Sequence, residues 1–89
     1  DLSEAKLNGA DLRHTNLTGA NLREARLKLA NLLLAILQAA HLGGADLAEA
    51  TLDGATLVRS LYTDETRFPE GFEPTKLGAV WLMAEPLMA

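Results

Sequence analysis

Cysteine is missing altogether from these 89 residues, so neither disulfide bracing nor thiolate chemistry can enter the account. That suits a reducing compartment, and a cytoplasmic location is the expectation. No apolar run approaches the roughly 20 residues that a membrane helix needs. No basic stretch followed by an apolar one forms a leader, and no membrane is expected among the partners. Positive charge is scarce as well: eight Lys and Arg stand against 12 Asp and Glu, for a formal charge of −4. Nucleic-acid binding rests on a basic surface, and that balance argues against it.

What the chain does have is leucine at every fifth position from Leu2 to Leu57, without a miss. Two residues before each, from Ala5 to Ala55, stands alanine, with Thr15 the one exception. A fixed period decides the architecture before any other consideration. A helix turns about 100° per residue, so successive leucines would rotate by roughly 140° and leave no polar face. In a flat strand an odd step would send alternate leucines to opposite faces. Leucine and alanine both stay inside only if the chain turns a corner once per repeat. The pattern is a coil of short extended sides, each sending one Ala and one Leu inward.

The units Ala10-Asp11-Leu12-Arg13-His14, Ala20-Asn21-Leu22-Arg23-Glu24 and Ala45-Asp46-Leu47-Ala48-Glu49 closely resemble the A-(D/N)-L-x-x signature of pentapeptide-repeat proteins. The resemblance covers about two thirds of the chain, with Thr15, Ser60 and Tyr62 departing mildly from the pattern. It implies an all-β solenoid: a right-handed quadrilateral β-helix with four repeats to each coil. Residues 1–20, 21–40 and 41–60 then make three stacked coils, and side-chain columns follow by adding twenty. Leu2, Leu22, Leu42 and Tyr62 form one inner column, and Leu12, Leu32 and Leu52 another. On the surface Lys6, Arg26 and Asp46 line up, with Arg26 and Asp46 placed to pair. Gly9, Gly19, Gly44 and Gly54 fall near corners, where left-handed backbone is tolerated.

The β-helix is expected over residues 1–62, followed over 63–89 by a loop and a short C-terminal capping α-helix. Pro69, Gly71 and Pro74 punctuate the loop, with Phe68 and Phe72 as its anchors. Pro74 suits a helix start, Leu77, Val80, Trp81 and Ala84 recur at helical spacing, and Pro86 ends the run. The apolar face of that helix is expected to cover the last coil, since terminal units of a solenoid need a lid. The Phe-Pro-Glu-Gly-Phe segment and this tail resemble the endings of cyanobacterial members of the family. At the other end Asp1 stands in mid-pattern without an initiator Met. Either upstream coils precede it or two copies meet end to end through their first coils.

In the second coil Leu29, Leu33, Leu34 and Ile36 occupy places that are polar or small in the other coils. They are expected to point outward as a contact site for a protein partner or a second copy of the chain. Nothing in the pattern assembles a catalytic, cofactor or metal constellation. His14 and His41 are single and fall on different sides, and no His, Asp and Glu set has ligand spacing. The serines lack a base in the repeat map, and Gly43-Gly44 lacks the Lys and the strand-loop-helix context of a phosphate loop. The expectation is a non-enzymatic scaffold without cofactor, making protein contacts that include lateral or end-to-end homo-oligomers. The alternative brought by the resemblance is mimicry of duplex DNA, by which some pentapeptide-repeat proteins bind DNA gyrase and confer quinolone resistance. Mimicry needs about one negative charge per 1.7 Å, whereas Lys6, Arg13, Arg23, Arg26 and Lys28 occupy the first two coils.

Overall fold

Each five-residue unit folds as it does for a local reason. The leucine carbonyl accepts the N–H three residues on, as from Ala5 to Leu2 (3.0 Å) and from Ala35 to Leu32 (2.9 Å), closing a β-turn at the corner. The third residue of that turn has positive φ, between 58° and 71°, at twelve successive corners; eight are non-glycine and four are Gly9, Gly19, Gly44 and Gly54. The residue before it stays out of the left-handed region, which is the signature of a type II turn.

The Asp or Asn that opens many units has a task in the same turn. Its side-chain oxygen accepts the N–H two residues on: Ser3 donates to Asp1 (2.9 Å), Arg23 to Asn21 (3.1 Å), Leu33 to Asn31 (3.1 Å) and Ala48 to Asp46 (3.0 Å). That N–H sits on the bend and has no ladder partner, so a short polar side chain there stabilises the corner.

Four corners bring the chain back above its starting point. The computed structural model describes residues 1–82. Parallel bridges join Lys6 to Arg26 and Arg26 to Asp46, Asp11 to Asn31 and Asn31 to Thr51, Asn16 to Ile36 and Ile36 to Thr56, and Asn21 to His41 and His41 to Leu61. The step is twenty residues in every case. We number the sides by these columns: the first carries Asn21 and His41, the second Lys6 and Arg26, the third Asp11 and Asn31, the fourth Asn16 and Ile36. The ladder bonds are short, as from Leu7 N–H to the Arg26 carbonyl (2.7 Å) and from Arg26 N–H to the Ala5 carbonyl (2.8 Å).

Inside this β-helix the leucines stack in columns lined by alanine. Leu22, Leu27, Leu32, Leu37, Leu42, Leu47 and Leu57 are sealed from solvent, as are Ala25, Ala30, Ala35, Ala40 and Ala45. Leu2, Leu7 and Leu12, on the first coil, are only half-buried and pack against that core from its end.

The stack does not stop at Tyr62. Strand β1 (Leu61–Tyr62) pairs in parallel with β2 (Val80–Trp81), and Asp46 is bridged to Arg67. Much of the stretch expected as a loop and helix is therefore a fourth, irregular coil. Its register drifts: Arg67 lies twenty-one residues beyond Asp46, and Val80 nineteen beyond Leu61. Tyr62, Phe68 and Phe72 pack against the core here, Phe68 standing edge-on to Tyr62 (centroids 5.4 Å) and stacked on Phe72 (5.2 Å).

The capping α-helix expected over 74–84 is corrected within the described residues. Pro74–Leu77 form a 3-10 helix that ends at Gly78, in left-handed backbone with φ 87°. The Gly78 carbonyl accepts Arg59 N–H (2.8 Å) and Val80 N–H donates to the Ser60 carbonyl (2.7 Å). Backbone groups committed to the ladder below cannot also make helical bonds, so Val80 and Trp81 are extended. Leu77, Val80 and Trp81 are more than two-fifths exposed, and do not form the expected buried lid. The remainder of the expected helix, with Ala84 and Pro86, lies outside the described residues.

One core position breaks the apolar rule. Ser60 takes an alanine place between Ala40 and Ala79, is fully buried, and its Oγ has no hydrogen-bond partner among the described residues. A buried hydroxyl left unsatisfied costs about 1–3 kcal/mol. Ser60→Ala restores the column, and calorimetry is expected to show a thermal midpoint about 5 °C higher. An unchanged or lower midpoint would mean that the hydroxyl is useful where it stands.

Candidate functional site

The four apolar residues singled out in the second coil come from three neighbouring units, and the corners decide which of them meet. Leu33 and Leu34 form the corner between the third and fourth sides, and Ile36 stands on the fourth side just beyond it. Leu29 sits on the previous corner, separated from them by the third side and its Asn31. Leu29, Leu34 and Ile36 are exposed, by 60%, 46% and 37%, whereas Leu33 is half-buried. The structure thus gathers Leu33, Leu34 and Ile36 into one patch and leaves Leu29 apart.

Leu29 and Leu34 both hold positive φ, 64° and 58°. Left-handed backbone costs a non-glycine residue roughly 1–2 kcal/mol, so the turn and ladder bonds must impose it. Room for Leu34 comes from the coil above: a Cβ added at Gly54 would lie 2.6 Å from Leu34 Cδ2. The leucine side chain lies across that glycine.

Other exposed apolar residues escape the sequence reading. Val58, 47% exposed, stands on the corner between the fourth and first sides, and Leu77, 41% exposed, follows it in the fourth coil. Gly78 is pressed against Val58, since a Cβ added at that glycine would lie 3.2 Å from Val58 Cα. The signal for Val58 is present in its column, where Thr18 and Gln38 precede it. Leu77 has no such signal because its register is shifted.

Charge is distributed unevenly around the coil. On the third side the Arg13 guanidinium holds Asp11 at 2.7 Å and, with the Arg13 backbone N–H, brings the pKa of the Asp11 carboxyl down to about 2. Lys28 reaches Glu49 on the next coil at 3.7 Å. Both pairs are exposed and stabilise little. The pairing expected between Arg26 and Asp46 does not occur within 4.0 Å among the described residues. A shallow depression of about 750 Å³ over the second side is lined by Lys6, Arg26 and Lys28 but equally by Glu4, Glu24 and Asp46. Its signs cancel, so it has no net field with which to draw an ion. The fourth side differs. Asn16, Ile36 and Thr56, with Thr18, Gly19, Gln38, Ala39 and Val58 on the adjoining corner, are uncharged, and Arg59 is the sole ion among them.

His41 is the one histidine built into the fold. Its Nδ1 accepts Gly43 N–H (3.2 Å), the same turn bond that Asn21 and Asn31 make with an amide oxygen. Burial, and then the nearby Arg23, push its pKa below the ordinary 6.5. The folded state therefore favours neutral His41. Its contribution is complete above the unfolded value and is lost as pH falls through the lowered folded value. Thermal melts should show a lower midpoint at pH 5 than at pH 7. His41→Asn keeps the acceptor and removes the titration, so it should reduce the difference. A pH dependence identical in the variant would assign it elsewhere.

Among the described residues no group of three His, Cys, Asp or Glu is placed to hold a metal ion. No described helix is long and apolar enough to cross a membrane. What the surface does offer is an apolar patch of Leu33, Leu34 and Ile36 beside a side that carries few charges, on a hydrogen-bonded frame.

Comparison with known proteins bears on that frame. The pentapeptide repeats signature matches residues 1–32 and 35–60, in eight copies. Among curated proteins nothing matches this chain. Among solved structures, a pentapeptide repeat protein from Nostoc Pcc 7120 is similar at 29% identity and TM-score 0.63, over 92% of this chain and 84% of that one. One from the cyanobacterium Cyanothece 51142 is 32% identical with TM-score 0.60, over 88% of this chain and 44% of its own. A third, from the Arabidopsis thaliana thylakoid lumen, is 28% identical with TM-score 0.55, over 89% of this chain and 59% of its own. This chain thus spans about half the length of the latter two. The matched signature covers well over half of the sequence and coincides with the units whose turns and columns build the coil, so the chain belongs to the pentapeptide-repeat family.

Proposed function

We propose that the protein is a non-enzymatic scaffold that binds another protein through the fourth side of its coil and the adjoining Leu33–Leu34 corner. The observation that carries this reading is the exposure of Leu34 (46%) and Ile36 (37%) next to one another on a rigid ladder. Contiguous apolar surface on a solenoid is costly in water and gains by being covered. The frame is fixed by turn bonds and ladder bonds before any partner arrives, so little ordering cost attends binding. Leu29 belongs to a different corner and is expected to contribute less.

Mimicry of duplex DNA is disfavoured by the register. Lys6 stacks directly under Arg26 on the second side, which puts two cations on adjacent rungs where a DNA mimic needs anions.

The test is capture of proteins by the immobilised chain, compared with a Leu34→Ser, Ile36→Ser variant. Both positions face solvent, so the variant should keep the parent's circular dichroism spectrum. Loss of the captured proteins is the expected result. An identical captured set would move the contact off the fourth side.

A further inference from the structure

We propose that a second copy of this chain docks on the fourth side, with the two coils side by side and parallel, related by a two-fold axis along the Asn16–Ile36–Thr56 column. This rests on the reading of that side as a contact surface, and it names the partner.

The argument comes from the register. The column of Asn16, Ile36 and Thr56 runs up the middle of the fourth side. Residues two and three places before it stand on one flanking corner, and those two and three places after it on the other. A two-fold axis parallel to the coil sets one corner against the opposite corner of the second copy, on the same rung. In the second coil Leu33 then faces Ala39, and Leu34 faces Gln38. In the third coil Val58 faces Gly54, across which Leu34 already lies, and Asp53 faces Arg59. In the first coil Arg13 faces Gly19. Leu33 against Ala39 and Arg13 against Gly19 set a large side chain on a small one, while Ile36, Leu34 and Val58 gather along the axis as the apolar middle of the contact.

Charge selects the same arrangement. Asp53 and Arg59 are exposed and take part in none of the ion pairs within 4.0 Å among the described residues. The two-fold would bring each to its opposite in the second copy. On the second side, by contrast, the same two-fold would set Lys6, Arg26 and Asp46 each against its own like charge. Head-to-tail docking of the fourth sides is the competing geometry. It would set Leu33 and Leu34 against their own counterparts, large on large. It would also offer Asp53 only Arg13, already held by Asp11 at 2.7 Å, and leave Arg59 against Thr18 and Gly19.

Size sets the strength. The molecule is 24 Å across its short axes. At about 4.8 Å per coil the fourth side offers roughly 400 Å² per copy, about half of what a standard interface buries on each partner. The dimer is therefore reversible and concentration-dependent.

Sedimentation velocity over a concentration series is the test. The average mass should rise from 9.5 kDa toward twice that value. Ile36→Lys should abolish the rise. Asp53→Arg alone and Arg59→Asp alone should each shift the association midpoint upward by about tenfold or more. The double variant, with the charges exchanged, should return it to near the parent value. All these positions face solvent, and circular dichroism confirms that each variant is folded. A mass of 9.5 kDa at every concentration up to the millimolar range overturns the proposal. So does a dimer indifferent to the single charge reversals, or one that the double exchange fails to restore. A strict monomer whose captured proteins vanish in the Leu34→Ser, Ile36→Ser variant refutes the second copy and leaves the contact surface standing. A charge-sensitive dimer with an unchanged captured set supports the second copy and removes the other partners.

Discussion

Leu32→Asp is expected to leave the chain unfolded at room temperature, whereas Asn31→Asp, one residue away, should fold like the parent. Leu32 is sealed from solvent in the inner column between Leu12 and Leu52. Removing the leucine forfeits about 3–5 kcal/mol of packing and transfer energy. A carboxyl group in its place has no hydrogen-bond partner inside a column of Leu and Ala, which costs several kcal/mol more. Together these rival the whole stability of a domain this size, about 5–13 kcal/mol. Asn31 faces the other way, on the third side, where its side-chain oxygen accepts Leu33 N–H at 3.1 Å. Aspartate keeps that acceptor, as Asp46 shows in the equivalent place. Circular dichroism melts of both variants check the contrast. Equal midpoints would remove the inner column from the account.

The second large effect concerns the fourth coil. Phe68→Ala is expected to lower stability by about 3 kcal/mol, toward the low end for buried aromatics because the ring is half-buried. Phe68 stands between Tyr62 and Phe72, so its loss removes an edge-on contact and a stacked one together. The leucines of the third coil beneath it would be opened to water at the same time. Denaturant unfolding reads this as a lower midpoint. A loss below about 0.5 kcal/mol, the level of an ordinary surface substitution, would mean that the ring decorates the end of the coil and does not close it.

The contrast between these two sites shows what the sequence discloses. Around Leu32 the period runs unbroken, and each residue's side and depth follow from its place in the unit of five. Around Phe68 the period is disguised twice. Aromatic rings replace leucine, and the register drifts to twenty-one and then nineteen residues per turn. Leu77, Val80 and Trp81 have helical spacing, but Gly78 and the ladder bonds from Arg59 and Val80 hold that segment extended. Local spacing favours a helix and long-range pairing overrides it.

The contact surface divides along similar lines. Leu34 and Ile36 are legible because adding twenty places them in polar or small columns. Leu33, expected to lie open, is half-buried: on a middle rung, its neighbours Arg13 and Asp53 stand directly below and above it. Nearness in sequence groups Leu29 with the others, and the intervening corner separates it in space. Val58 is easily missed because the stretch after Leu57 resembles a fading repeat, while the coil in fact carries on.

Every column, side and corner depends on the twenty-residue step, and solution NMR measures that step directly. Backbone nuclear Overhauser contacts should link Lys6 with Arg26, Asn31 with Thr51, and Ile36 with Thr56, and should reappear between Leu61 and Val80 with the shifted interval. An unbroken helical series of contacts at three and four residues along 1–57, or cross-coil pairing within it centred on an interval other than twenty, would contradict the coil and the contact surface built on it.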